Sequence, residues 1–228
     1  MTEGKSPVRP RDAASLVIFR RRRSESAGAV AEHVDVLVGR RSDRARFKPG
    51  MYVFPGGGLE RADHRVRPVT ELDPGVVTRL AVGGSAARAH ALALAAIRET
   101  WEEVGLMFGA PGDVGDNPSP SWQAFRTQGI APALDRLAYL GRAITPSPQP
   151  IRFHARFFAA EVSDVHGEPR PSGELSDVQW VALADTARLN LMPVTLLMLD
   201  ALKRRLEAQD TRAAFLSFQH GRRQILWV

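Results

Sequence analysis

Arg98-Glu99-Thr100-Trp101-Glu102-Glu103-Val104-Gly105-Leu106 closes a stretch, Ala86 to Val104, that has no helix breaker and is rich in alanine. Such a run predicts one long helix, with Gly105 where a left-handed cap would end it. At about 100° per residue, Glu99, Glu102 and Glu103 fall at about 0°, 300° and 40°, while Ile97, Trp101 and Val104 fall at about 160°, 200° and 140°. The helix therefore turns an apolar side to the core and gathers three carboxylates on the other. Like charges three and four residues apart repel by roughly 0.2–0.5 kcal/mol per pair, and Arg98 relieves this only in part through Glu102, four residues on. Either the face is simply solvated, or it holds a hard divalent cation. Oxygen ligands that leave positions open for water and phosphate suit Mg²⁺ or Mn²⁺.

Upstream of the helix, Met51-Tyr52-Val53-Phe54 reads as a short strand and Pro55-Gly56-Gly57-Gly58 as a turn that only glycine-rich sequence tolerates. The turn and the helix together resemble the box of the Nudix hydrolases, Gly-x5-Glu-x7-Arg-Glu-U-x-Glu-Glu-x-Gly-U, where U is bulky and apolar. Gly57 matches the first glycine, and Arg98, Glu99, Glu102, Glu103, Gly105 and Leu106 match the second half, with Thr100 departing at the first U. A longer departure separates the halves. Gly57 precedes Arg98 by 41 positions instead of 14, an insertion of about 27 residues. The box's early glutamate is then replaced by Asp63, counted from the glycine, or by His90, counted back from Arg98.

The segment before the box, Leu37-Val38-Gly39-Arg40-Arg41-Ser42 followed by Arg46, Gly50 and Phe54-Pro55-Gly56-Gly57, is similar to the element that precedes it in coenzyme A diphosphatases. Val38 and Gly39 depart from that pattern. Ile144-Thr145-Pro146 and Arg152-Phe153-x-x-Arg156-Phe157-Phe158 also look like the coenzyme A-active branch found in peroxisomes.

The resemblance implies an α/β fold, a Nudix-type α/β/α sandwich with a mixed β-sheet. The domain is expected over 13–208, with an insertion at about 64–90 looping over the site. A loose arm at 1–12 and a tail at 209–228 flank it. It implies hydrolysis of a diphosphate in a nucleoside diphosphate linked to another moiety, with coenzyme A or an acyl-CoA first. ADP-ribose, dinucleotides and other nucleotides are alternatives, as is a non-catalytic Nudix-fold regulator that binds a nucleotide. By the same resemblance Glu99, Glu102, Glu103 and the carbonyl of Gly57 ligate the metal, Arg98 orients the carboxylates, and Glu174 is the candidate base, with Glu60 behind it.

Elsewhere the reading is coarser. Ala14 to Phe19 is a buried strand stopping at Arg20-Arg21-Arg22-Arg23, which is either an anion patch or a solvated strand end. Val34 to Val38 forms a hairpin with it. A helical turn is expected around 74–80, a mobile loop over 111–120, and strands over 137–144, 151–162 and 178–181. A short helix follows at 182–188 and an amphipathic one at 193–208, with Pro193 in its first turn. In the strand at 151–162, Phe153, Ala155 and Phe157 share one face and Arg152, His154 and Arg156 the other, a stripe that is either phosphate-binding or solvated. Arg41, Arg46, Arg152 and Arg156 are the substrate-binding candidates. Trp101 and Trp180 are expected in the core.

The 228 residues are 44% apolar and 25% charged, an ordinary globular composition. The absence of cysteine excludes disulfides, thiolate nucleophiles and thiolate metal sites. No apolar run is long enough to span a bilayer, and the first residues lack a secretory apolar segment, so a cytoplasmic protein with no membrane partner is expected. The net charge of +6 comes from 31 basic residues of which 28 are arginine, but no nucleic-acid-binding motif accompanies it. The expected partner is a small diphosphate, and a homodimer is compatible with the sequence.

Overall fold

The computed structural model describes residues 8–26, 29–45, 48–80, 83, 85–147 and 149–228. Its centre is a mixed sheet built from β1 (Arg11–Ser26), β2 (Ala29–Arg41), β3 (Tyr52–Val53), β4 (Gly56–Gly58), β5 (Ala138–Ile144), β6 (Phe153–Glu161), β7 (Leu175–Ala182), β8 (Ala214–Gln219) and β9 (Arg222–Trp227). The order is β7-β2-β1-β6-β5-β8-β9, with β3 paired to β2 and β4 to β1. β1 runs parallel to β6 and β8 parallel to β5, while the remaining pairs are antiparallel.

Strand periodicity divides the apolar residues between two cores. From β1 and β2, Leu16, Ile18 and Leu37 enter the layer containing α2 (Ala86–Val104). α1 (Pro74–Arg79) and α3 (Pro120–Gln128) pack into the same layer through Val76, Trp122 and Phe125. Val17, Phe19, Val36 and Val38 point the other way, onto α4 (Pro193–Ala208) through Met198 and Leu202. The result is the expected α/β/α sandwich. α2 has the expected bounds, is started by the Ser85 hydroxyl accepting from Arg88 N–H, and ends at Gly105 with φ +73°.

Several expectations are corrected. β1 does not stop at Arg20. Arg20 and Arg22 share one face and both donate to Asp35, which is 2% exposed, from Arg20 Nε at 3.0 Å and Arg22 Nη2 at 2.9 Å. Asp35 turns the arginine run into a paired continuation of the hairpin. Arg11 and Asp12, placed in the arm, already belong to β1, and residues 1–7 lie outside the described residues. The insertion does not arch over the site: Val66, Leu72, Val76 and Leu80 anchor it in the α2 core. The loop at 111–120 is tied down by Val114, fully buried, and by Asn117 Nδ2 donating to Ala62 O at 3.0 Å. α3 went unforeseen.

The segment 209–228 is no tail. β8 and β9 extend the sheet, and Ala213, Ala214 and Leu216 are buried. Among the described residues no helix is long and apolar enough to cross a membrane. If this hairpin belongs to the cooperative fold, Leu216→Ala, at a site 5% exposed, lowers stability by about 2–5 kcal/mol. That is a fall in Tm of roughly 5–15 °C. Leu226→Ala, at a site 53% exposed, changes stability by no more than about 0.5 kcal/mol. Calorimetric melting of both variants checks this.

Candidate active site

The chemistry-bearing helix lies against the glycine turn. β4 pairs with β1 through Ala13↔Gly58, Ala14↔Gly57 and Ser15↔Gly56, which fixes the turn to the sheet, while α2 packs across β1 and brings its last two turns to the same place. The contact is close. A methyl group at Gly57 would lie 2.5 Å from the Glu99 carboxyl carbon, so only glycine lets the turn and Glu99 approach this far. Gly56 N–H donates to Glu103 Oε2 at 2.8 Å, and Gly58 O accepts from Arg98 Nη2 at 2.7 Å.

Arg98, 1% exposed, holds the assembly. Its Nε donates to Asp63 Oδ1 at 2.9 Å and Nη2 to Asp63 Oδ2 at 3.2 Å, a two-pronged pair. Its Nη1 donates to Glu99 Oε1 and Glu102 Oε2, each at 2.9 Å. Burial works against the guanidinium charge, but the Asp63 bond and the charges of Asp63, Glu99 and Glu102 outweigh it and raise its pKa.

Asp63 is fully buried and also accepts from Glu60 N–H at 2.8 Å and Trp122 Nε1 at 3.2 Å. This decides between the two residues counted for the early box position. Asp63 partners Arg98, whereas His90 stands 3.0 Å from the Glu71 carboxylate in the insertion.

The carboxylates differ in environment. Glu103 is 4% exposed, and burial pushes its carboxyl up to about 8, the Gly56 N–H working against that and Glu99 and Glu174 adding to it. Burial likewise pushes Glu99 up to about 7, offset by Arg98 and reinforced by Glu102 and Glu174. Glu102 is the most open of the three, its side chain 37% exposed, and Ser121 at the start of α3 donates its hydroxyl to Glu102 Oε1. Sequence reading missed Ser121, because α3 was not foreseen and the contact is non-local.

Among the described residues no three acidic or histidine side chains stand in a finished metal-binding arrangement, since Arg98 draws Glu99 and Glu102 to itself. The donor set nonetheless fits a hard cation. Glu174 is near enough to raise the pKa of both Glu99 and Glu103, and Glu99 adds to the rise at Glu103; such repulsion is what a divalent ion would cancel.

A cleft of about 610 Å³ opens beside these residues. Glu99, Glu174, Arg41 and all three turn glycines line it. Glu60 instead borders a separate groove with Arg61 and Ser119. Arg46 lies outside the described residues.

The arginine stripe of β6 is corrected. Phe153, Ala155 and Phe157 face the cleft, so Arg152, His154 and Arg156 face away from it. Arg156, 2% exposed, donates from Nη1 to Asp12 Oδ1 at 2.7 Å, and Arg88 Nε reaches Asp12 Oδ2 at 2.6 Å. Arg152 is spent on two carbonyls, Thr145 O at 3.0 Å and Val8 O at 2.7 Å. Both arginines therefore hold the fold. Trp101 and Trp180 are only partly buried, with Arg170 and Arg20 set over their rings at 5.1 and 4.5 Å.

No family model matches the chain. Among curated proteins it is 33% identical over 141 residues to the acyl-coenzyme A diphosphatase NUDT19 of Gallus gallus. That match takes in 50% of this chain and spans 37% of that protein's length. Among solved structures, the NUDIX domain of Shewanella oneidensis NrtR complexed with ADP ribose is 15% identical at a TM-score of 0.49, covering 87% of this chain and 90% of that one. The NUDIX hydrolase of Alicyclobacillus acidocaldarius is 31% identical at a TM-score of 0.58, covering 85% of this chain and 91% of that one. With that identity over nearly all of a NUDIX hydrolase, and with both halves of the box joined through Arg98 and the glycine turn, this chain belongs to the Nudix hydrolase family.

Proposed function

We propose that the protein hydrolyses the diphosphate linkage of a nucleoside diphosphate joined to another moiety, using Mg²⁺ or Mn²⁺, with coenzyme A or an acyl-CoA as its substrate. The observation that carries this reading is the cleft in which Glu99 and Glu174 meet the glycine turn, with Glu103 pinned to Gly56 just behind. The coenzyme A preference is supported by the pattern from Leu37 to Gly57 and by the relative that is itself an acyl-coenzyme A diphosphatase.

In this reading Glu99, Glu102, Glu103 and the carbonyl of Gly57 hold the cation. When bound, it neutralises the diphosphate and lowers the pKa of its water. Arg98 positions the carboxylates, and Asp63 positions Arg98. Glu174 takes a proton from the attacking water as a new P–O bond forms. The bridging P–O bond breaks, and its oxygen leaves on the departing phosphate. Arg41, in the cleft wall, meets an anionic group of the substrate.

Three outcomes follow. With millimolar Mg²⁺ or Mn²⁺, coenzyme A yields 3′,5′-ADP and phosphopantetheine, and EDTA abolishes the reaction until the cation is restored. Cleavage of ADP-ribose or NADH in its place, in the same chromatographic assay, would discard coenzyme A as the substrate. Glu103→Gln lowers kcat by about 100-fold or more, since the cation contributes several kcal/mol to the transition state. Asp63→Asn weakens activity or the apparent Mg²⁺ affinity by about 10–100-fold, read from metal titrations of the initial rate. An unchanged metal titration would remove Asp63 from the assembly.

A further inference from the structure

The face of the sheet turned away from the cleft carries a second concentration of charge. Ala143 and Ala155 line the cleft. Arg142 and Arg156, their neighbours in the chain and partners across β5 and β6, therefore point to the opposite face. Tyr139 joins them there. A register shift between Tyr139 and Gly141 sets it opposite Phe158, two residues beyond Arg156, and the two rings lie 5.9 Å apart. Tyr139 is 1% exposed and Arg156 2%. Each keeps a buried donor, Tyr139 Oη and Arg156 Nε, with no hydrogen-bond partner among the described residues.

Orphaned buried donors are costly, and the charges around these two indicate what satisfies them. Burial raises the pKa of the Tyr139 phenol even against Arg142, Arg156 and Arg79 of α1, so it keeps a proton to donate. Arg142 Nη1 donates to His154 Nε2 at 3.3 Å, and its guanidinium lies 3.5 Å from the centre of the Phe215 ring. Arg79 donates to two carbonyls, Gly75 O at 3.2 Å and Thr211 O at 2.6 Å. Neither arginine meets a carboxylate among the described residues. Asp12 is shared between Arg156 and Arg88. Burial, then the charges of Arg156 and Arg142, push His154 down to about 4, although Asp12 opposes them. The surroundings are therefore net positive. A water molecule accepts a proton from each orphan but leaves that excess of charge as it was. An anion accepts the same protons and cancels the charge.

We propose that this face holds a small inorganic oxyanion, phosphate or sulfate, between Tyr139 Oη, Arg156 Nε and the guanidiniums of Arg142 and Arg79. The sheet separates this site from the cleft, and the inference does not rest on the diphosphatase reading. Arg156 then does two things with one guanidinium: Nη1 holds Asp12 in the fold, and Nε holds the anion.

The test is calorimetric titration of the full chain with sodium phosphate and with sodium sulfate, in EDTA and at constant ionic strength set by chloride. Wild type binds both ions saturably. Tyr139→Phe, which removes one hydroxyl and keeps the ring, weakens binding about tenfold or more, as does Arg142→Gln. Arg41→Gln, in the cleft wall, leaves it unchanged. Melting provides a second readout. Phosphate raises the wild-type Tm, and Tyr139→Phe needs about tenfold more phosphate for the same rise. Circular dichroism confirms that each variant is folded. The absence of saturable binding in wild type overturns the proposal without reference to any variant, and leaves water as the partner of Tyr139. Binding that survives both Tyr139→Phe and Arg142→Gln also overturns it, and its loss in Arg41→Gln would place the anion in the cleft instead.

Discussion

A buried guanidinium with all its directions used is the constraint on which this site depends. Arg98 joins three elements that sequence keeps apart: the glycine turn through Gly58 O, the short 3₁₀ turn after it through Asp63, and the end of α2 through Glu99 and Glu102. An unpaired charge at such a position is strongly destabilising, so the pairing with Asp63 comes first and the carboxylate arrangement follows from it. The planar fork matters as much as the charge. Lysine could neutralise Asp63, but it could not also hold two glutamates and a carbonyl at fixed angles.

The glycine turn supplies the other half of the geometry. It is tied to β1, the strand that contributes to both cores, so the turn is referenced to the middle of the sheet instead of to a surface loop. α2 is referenced to the same strand by packing. A site built between two elements that share one rigid neighbour keeps its spacing under thermal motion better than one built on loops.

Much of this was legible in the sequence, for identifiable reasons. A long stretch without breakers and a glycine at its end are local signals, and α2 came out where it was expected, while the glycines read as a turn pair with β1 as the short strand β4, a non-local contact that a glycine cluster does not announce. Asp63 could be named only as one of two residues, because an insertion breaks the count and the count alone cannot say which side of the break holds the partner. The faces of β6 were divided correctly but assigned to the wrong surroundings. Alternation separates Phe153 and Phe157 from Arg152 and Arg156, yet says nothing about which side another element covers. The strand Ala214–Gln219 was missed since its partner, Ala138–Ile144, lies far back in the chain and runs parallel. No short-range pattern announces such a pairing.

The parallel pairing of β1 with β6 has a kinetic consequence. Arg11 and Phe153 are partners, so the centre of the sheet forms only when a loop of about 140 residues closes. That closure costs roughly 2 kcal/mol more than closing a ten-residue loop. The β1–β2 hairpin, by contrast, is local and can form early. Until β6 arrives, β1 offers an open apolar edge of Leu16, Val17 and Ile18, the kind of surface on which refolding chains associate. Refolding of this protein should therefore be slow and sensitive to concentration, and the floor of the cleft should be among the last parts of the molecule to exist.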